Sequence, residues 1–438
     1  MSVPPIVPSV VKDRFDVYRF FNGLSAEGKD GLNLGRTRVP LVKTFLLEHV
    51  SSHTGREQKS PNAIFGSLGA EVHPIDENFF EVAVWQSKGA DSKPEKLKTG
   101  YVEKYDERFF AYYTAEKADA ANRRVKNWIA SSPEIDSPWF SADFLQSLWK
   151  QDVSLRGDDR FGKLIFRHDS VFEMPTDAAS VDADNEESDA DDDTASDDTE
   201  DRIEVDRRRI RSEMRDRIGP IRNVLESLQG TYAPLNALYG VRIPSSTARG
   251  GHDLYQEGRI TNRSDSFEDH RNTARYLFRL YKSVLDLTEK SAWFAIDEAK
   301  PATQMRTSIE GGVPLIIRFA ETLPRSTFDR WIELAFGKRN AFRLWGDPIR
   351  LGPTKVHVYG ADRHLWQPIN LEITADRLVA ILPRGTCGNT FHRLVANVQR
   401  FVCPKIDVWL GARPFNELMS NMRASLAIEP SESGETPK

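Results

Sequence analysis

Cysteine is nearly absent from this chain. Cys387 and Cys403 are the only two in 438 residues, which excludes a disulfide framework and makes a reducing, cytoplasmic setting the expectation. Long apolar runs are missing as well. No stretch approaches the roughly 20 apolar residues of a membrane span, so no membrane partner is expected. Met1 to Val11 contains Pro4, Pro5 and Pro8 and no basic leader, and does not read as a signal peptide. There is no internal repeat.

Apolar residues make up 39% of the chain and charged residues 29%, which is polar for a globular protein but enough for packed cores. A length of 438 residues predicts more than one folded unit. The net charge of -5 conceals a strong asymmetry. Residues 182–206 hold 14 Asp or Glu against Arg202 alone, whereas residues 207–438 hold 35 Lys or Arg against 25 Asp or Glu. From Pro175 to Asp201 there is almost no large apolar residue, so burial cannot offset the entropy of ordering the chain. This composition predicts an N-terminal α+β module over 1–174 and an acidic disordered linker over 175–201. An Arg-rich α+β module with a mixed sheet and flanking helices follows over 202–428, and a flexible tail over 429–438.

Within the first module, Val39, Val42, Phe45 and Leu46 have helical spacing, while Phe79–Trp85 and Phe109–Thr114 read as strands. Helices are expected over 117–129 and 142–150, then a strand over 163–166. Trp128, Trp139, Phe140, Phe144 and Trp149 read as core. Beyond the linker, Ile203, Ile210, Met214, Ile218, Ile221, Leu225 and Leu228 predict one amphipathic helix, with a break permitted at Gly219-Pro220. Gln229 to Asp269 is rich in Gly, Ser, Asn and Asp and reads as a long irregular loop, followed by a helix over 269–290. Strands are expected over 292–297, 313–320, 341–345, 356–360, 369–374, 377–382 and 405–410, with helices over 326–336 and 390–402.

Four groups of residues carry candidate chemistry. Arg208, Arg211, Arg215 and Arg222 on the first expected helix, and Arg271, Arg275, Arg279 and Lys282 on the second, recur at helical spacings that align the charges on one face. Such faces can neutralise phosphates along a nucleic acid. They can equally be solvated, or paired with the acidic linker, which as a tethered polyanion would compete for them at high effective concentration. His252, Asp253, Asp265, Asp269 and His270 bring two imidazoles and three carboxylates within twenty residues, a set that can ligate a hydrolytic metal or supply a general base. No spacing among them matches a metal-binding motif. The loop from Pro383 to Thr390 has glycines before a helix, with Arg384 and Arg393 nearby, and can receive an anion, though it lacks the Gly-Lys-Ser/Thr ending of a P-loop. Cys387 lies in that loop with no sequence feature pairing it to a histidine, and His357 and His364 read as structural. Glu298-Ala-Lys300 superficially resembles the end of a nuclease strand. No motif specifies a cofactor.

Three functions therefore stand side by side. The first is an intracellular binding protein whose basic C-terminal module contacts nucleic acid or another phosphate-rich partner, with protein contacts through the N-terminal module. The second is a metal-dependent hydrolase or nuclease built on the 250–270 residues. The third is a scaffold subunit that touches no nucleic acid.

Overall fold

The computed structural model describes residues 7–8, 10–34, 40–49, 58–86, 95–153, 157–174, 209–297, 308–337 and 340–421. The expected linker, the C-terminal tail, Arg208 and Glu298-Ala-Lys300 lie outside these. The fold is α+β, as the alternation of strand and helix signals implied, and it is organised around two large sheets.

The first sheet has ten antiparallel strands. Their spatial order is β2 (Ala70–Pro74), β3 (Phe79–Gln86), β4 (Glu95–Lys104), β5 (Phe109–Thr114), β1 (Lys43–Glu48), β10 (Arg259–Asn262), β9 (Gly251–Tyr255), β8 (Leu238–Pro244), β6 (Phe161–Asp169) and β7 (Arg209–Arg217). The second runs β14 (Leu344–Gly352), β15 (Lys355–Asp362), β16 (Gln367–Thr374), β17 (Arg377–Pro383), β13 (Leu315–Phe319), β18 (Ile406–Leu410) and β19 (Arg413–Pro414). Off its path, β11 (Trp293–Asp297) runs parallel to β17 and antiparallel to β12 (Ser308–Glu310).

This topology corrects the expected division into modules. Strands from before and after residues 175–208 are interleaved in one sheet: β1 pairs with β10, β8 with β6, and β6 with β7. The β6–β7 ladder alone runs over nine residue pairs, from Phe161↔Arg217 to Asp169↔Arg209. Neither flank could leave without stripping hydrogen bonds and apolar faces from the other.

Nine α-helices occur among the described residues: α1 (Arg14–Leu34), α2 (Pro61–Ser67), α3 (Ala118–Ser131), α4 (Ala142–Leu148), α5 (Ile218–Leu228), α6 (Phe267–Ala292), α7 (Arg325–Ala335), α8 (Asn389–Phe401) and α9 (Phe415–Ser420). α6 begins where Ser266 accepts the Asp269 backbone N–H at 3.2 Å, and buries Leu277, Leu280, Tyr281 and Val284. One apolar core reaches from Leu46 and Phe109 of the first sheet through Leu277 and Leu280 of α6 to Val395 of α8 and Leu371 of β16. A second, under α2 and α3, takes Phe45, Leu47, Phe110, Tyr112 and Trp128.

Three segments differ from the sequence reading. Val39 lies outside the described residues, and the Val42–Leu46 spacing is not helical. β1 is buried on both faces, with Leu46 in one core and Phe45 and Leu47 in the other, so these three apolar residues follow one another without alternation. Residues 209–217 form a strand, and the helix starts only at Ile218, which puts Pro220 in its first turn where the missing N–H is tolerated. A spacing of four is both two strand repeats and about one helical turn, so Ile210 and Met214 fitted either state. Gln229–Asp269 is no loop: it supplies β8, β9 and β10, and its small polar residues serve the turns, Gly258 at φ 73° among them.

Residues 1–174 and 209–438 expressed apart should each lack a cooperative melt, and their co-expression should restore one. Two independent cooperative transitions by calorimetry would show instead that the sheet divides at residues 175–208.

Candidate functional site

The sequence-predicted residues separate. On β7, Arg211 and Arg215 are exposed on a strand rather than a helix, Arg215 beside Glu213. Arg222 pairs with Asp158 at 2.8 Å. On α6, Arg271 and Arg275 converge on one carboxylate: Arg271 Nε donates to Glu103 Oε2 at 2.9 Å and Arg275 Nη2 to Oε1 at 2.8 Å. Lys282 meets Asp106 at 3.0 Å, and Arg279 and Arg384 are exposed. Arg393, expected beside an anion, is wholly buried and ion-paired. The stripes are thus in large part internal ion pairs.

Of the candidate hydrolytic set, His252, Asp269 and His270 do converge. His252 Nε2 is 2.7 Å from Asp269 Oδ2, His252 Nδ1 is 3.2 Å from His270 Nδ1, and His270 Nε2 is 2.7 Å from Thr44 Oγ1. One proton arrangement satisfies all three: His252 donates to the carboxylate and accepts from His270, which accepts from Thr44. Asp269 also accepts from Thr247 at 2.9 Å. Burial, followed by the neighbouring His252, holds His270 well below its ordinary pKa, hence neutral. All three side chains are buried and outside the cleft described below. Asp253 is instead bound by Arg242 at 2.6 Å and Arg263 at 3.2 Å, and Asp265 accepts the Arg249 backbone N–H at 3.1 Å. The cluster is a structural connection between β9, α6 and β1.

The glycine loop before α8 does receive an anion, but an internal one. Glu289 of α6 accepts the Gly388 N–H at 2.9 Å, and a Cβ at Gly388 would stand 2.7 Å from Glu289 Cγ, so only glycine allows this approach. Glu289 is shared with Arg108, whose Nη2 lies 2.6 Å away and whose Nε donates to Glu48 Oε1 at 2.7 Å. Cys387 lies in the same place, its thiol 3.1 Å from Glu48 Oε1. Burial raises Glu48 to about 7 despite Arg108, and burial together with Glu48 pushes the Cys387 thiol well above its usual value.

Alongside runs a second ion-pair group. Asp136 takes Arg343 Nη1 at 2.9 Å and the Arg393 guanidinium, and Arg393 also pairs with Asp362 of β15. Burial opposes ionisation of Asp136, but Arg343 and Arg393 outweigh it and hold its pKa below the ordinary value.

Against this group opens a cleft of about 430 Å³ between the two sheets. Its wall carries five basic side chains, Lys126, Arg259, Arg343, Arg363 and Arg400, against two carboxylates, Asp136 and Glu257. Both carboxylates already pair with arginines, Glu257 with Arg400 at 3.3 Å. Trp139 and Trp366 line it too, the latter 51% exposed. Among the described residues, three non-glycines have left-handed backbone: Arg343 (φ 53°), Leu365 (φ 62°) and Trp366 (φ 49°). Two of these line the cleft and the third is their neighbour. The Pro133 carbonyl holds the β15–β16 turn in this conformation, accepting the Leu365 N–H at 2.7 Å and His364 Nδ1 at 3.0 Å. Such conformations cost about 1–3 kcal/mol each and persist where the surroundings enforce them.

Sequence reasoning missed nearly all of this wall. A local signal existed in the charged residues set into apolar runs, Glu48 after Phe45-Leu46-Leu47 and Asp136 after Ile135. Their partners are far along the chain, Arg108 60 residues after Glu48 and Arg393 257 after Asp136.

Residues 25–218 and 244–416 match the family described as MJECL33-like protein. The chain is similar to the uncharacterized protein MJECL33 of Methanocaldococcus jannaschii, with 20% identity over 371 residues that span 82% of this chain and 84% of that one. No solved structure matches.

Two outcomes are expected from this geometry. Arg393→Met should lower stability by about 3–5 kcal/mol in urea unfolding, because it leaves Asp136 and Asp362 short of their cation inside the core; a loss near zero would mean the group is solvated. His270 and His392, the latter lowered by burial to about 3, stay neutral when folded but protonate near 6.5 when unfolded. Stability should therefore fall as pH drops from 6.5 toward 4, by up to about 1.4 kcal/mol per pH unit per histidine. His392→Phe should flatten that slope by one histidine's share, measured by denaturant titration at several pH values.

Proposed function

The chain belongs to the MJECL33-like protein family, and we infer that it is a binding protein whose cleft receives a phosphate-bearing ligand with a flat ring, a nucleotide or one nucleotide unit of a strand. The observation that carries this is the left-handed backbone at Arg343 and Trp366, which turns an arginine and a tryptophan onto the wall of one cleft. Strained conformations concentrate where binding or catalysis uses them.

The chemistry of the wall supports the same reading. Five basic side chains against two carboxylates give a positive interior, and arginine's planar fork suits phosphate oxygens. Arg259 is already oriented by stacking 3.8 Å above the Tyr255 ring. Trp366 and Trp139 offer faces on which a base can stack, a contact worth roughly 1–3 kcal/mol. A volume of about 430 Å³ lies within the range of small-ligand pockets. The phosphate-binding role expected of the helical stripes passes in this reading to a cleft whose cations come from α3, β10, α8, the residue before β14 and the β15–β16 turn.

Isothermal titration of the full-length chain with ATP, inorganic phosphate and a short single-stranded oligonucleotide tests it. Saturable ATP binding is expected, weakened about tenfold or more in Trp366→Ala and in Arg363→Glu, with thermal melting unchanged; tenfold corresponds to about 1.4 kcal/mol. Tighter, salt-dependent oligonucleotide binding would assign the ligand to a strand. Equal affinity in both variants and the unaltered chain would remove the cleft from consideration.

A further inference from the structure

His364 sits inside the strained β15–β16 turn with its ring fully buried. Its Nδ1 is 3.0 Å from the Pro133 carbonyl. A carbonyl oxygen only accepts, so Nδ1 carries the proton and Nε2 is a bare lone pair. Among the described residues no group hydrogen-bonds that Nε2 or Glu48 Oε2, which is equally buried. A buried acceptor without a donor is costly because it has lost its water and gained nothing, so two in one place require a reason. Cys387, 2% exposed, completes the group: a carboxylate oxygen of Glu48, a ring nitrogen of His364 and the Cys387 sulfur all lie within 4.8 Å of one another.

We propose that Glu48, His364 and Cys387 hold a zinc-class divalent cation. One oxygen, one nitrogen and one sulfur donor suit a borderline-soft ion, whereas magnesium and calcium prefer all-oxygen shells. Tetrahedral zinc bonds of roughly 2.0 to 2.3 Å place ligand atoms about 3.3 to 3.6 Å apart, inside the 4.8 Å within which these three atoms lie.

Binding exchanges the thiol proton for the ion. The S–H bond breaks, its electron pair forms the metal–sulfur bond, and the proton leaves to solvent. Charge then balances locally: the thiolate, Glu48 and Glu289 face the dication and Arg108, whose Nη2 is 3.4 Å from the sulfur. Each ligand also has an orienting partner, as metal ligands usually do. The Pro133 carbonyl turns His364, Arg108 holds Glu48, and the Gln367 side chain accepts the Cys387 N–H at 2.6 Å. The three ligands come from β1, the β15–β16 turn and the loop before α8, so the ion clamps the turn that carries Trp366 onto the first sheet. This inference does not depend on what the cleft binds.

The test uses the full-length chain without a polyhistidine tag, purified without chelator. Elemental analysis should find about one zinc per chain, and cobalt exchanged into the protein should show thiolate-to-cobalt charge-transfer absorption. Cys387→Ala and His364→Gln should each weaken binding by about tenfold or more, while Cys403→Ala should leave it unchanged. A chelator should lower the melting temperature of the unaltered chain but not that of Cys387→Ala. If those variants fail to fold, the cobalt spectrum of the unaltered chain decides alone. No uptake, uptake without charge transfer, or binding unchanged in folded Cys387→Ala and His364→Gln would each overturn the proposal.

Discussion

A charge cannot be left alone in an apolar interior, and this protein buries several. Arg393 is wholly enclosed and is neutralised only because Asp136, from the segment between α3 and α4, and Asp362, at the end of β15, both reach it. Arg108 stands in the same relation to Glu48 and Glu289. These ion pairs span both sheets and α6, so they set the distance and orientation between the sheets more stringently than apolar contact could. Apolar packing tolerates small slides, whereas a hydrogen-bonded guanidinium does not.

The cleft follows from that arrangement. Asp136 draws Arg343 across from the loop before β14, and Pro133, three residues earlier, anchors the β15–β16 turn through Leu365 and His364. The same short segment therefore braces two neighbouring strained pieces of backbone, which the Arg363 N–H joins by donating to the Arg343 carbonyl at 2.8 Å. Because the Asp136 backbone is bonded to Glu48 of β1 and its carboxylate to Arg393 of α8, which also holds Asp362 of β15, the wall is supported by ordered elements, the condition under which a ligand finds its contacts already positioned.

Much of the fold was legible along the chain. Strands β5 and β17 and helices α3, α6, α7 and α8 have local patterns with one dominant period and fall close to where spacing put them. The failures have physical causes. β1 is buried on two faces and loses its alternation, and β7 repeats every four residues, a spacing that a strand and a helix share. In β8 to β10, brief strands are separated by turns whose glycines and polar residues dominated the composition. The site was far less legible. Arg271 and Arg275 looked like a phosphate-binding face because Glu103, which occupies them, lies 168 and 172 residues away.

By itself the sequence determined the α+β class, the thiol rather than disulfide state of its two cysteines, and most helices, because composition and nearest-neighbour periodicity act through local backbone preference and one-sided burial. The tertiary structure alone decided that the two flanks of residues 175–208 share a sheet, which arginines are spent on internal carboxylates, and that Glu48, His364 and Cys387 meet. Those outcomes depend on pairing between residues far apart in the chain, where Coulomb attraction and desolvation respond to distance in space and leave no periodic trace in the sequence.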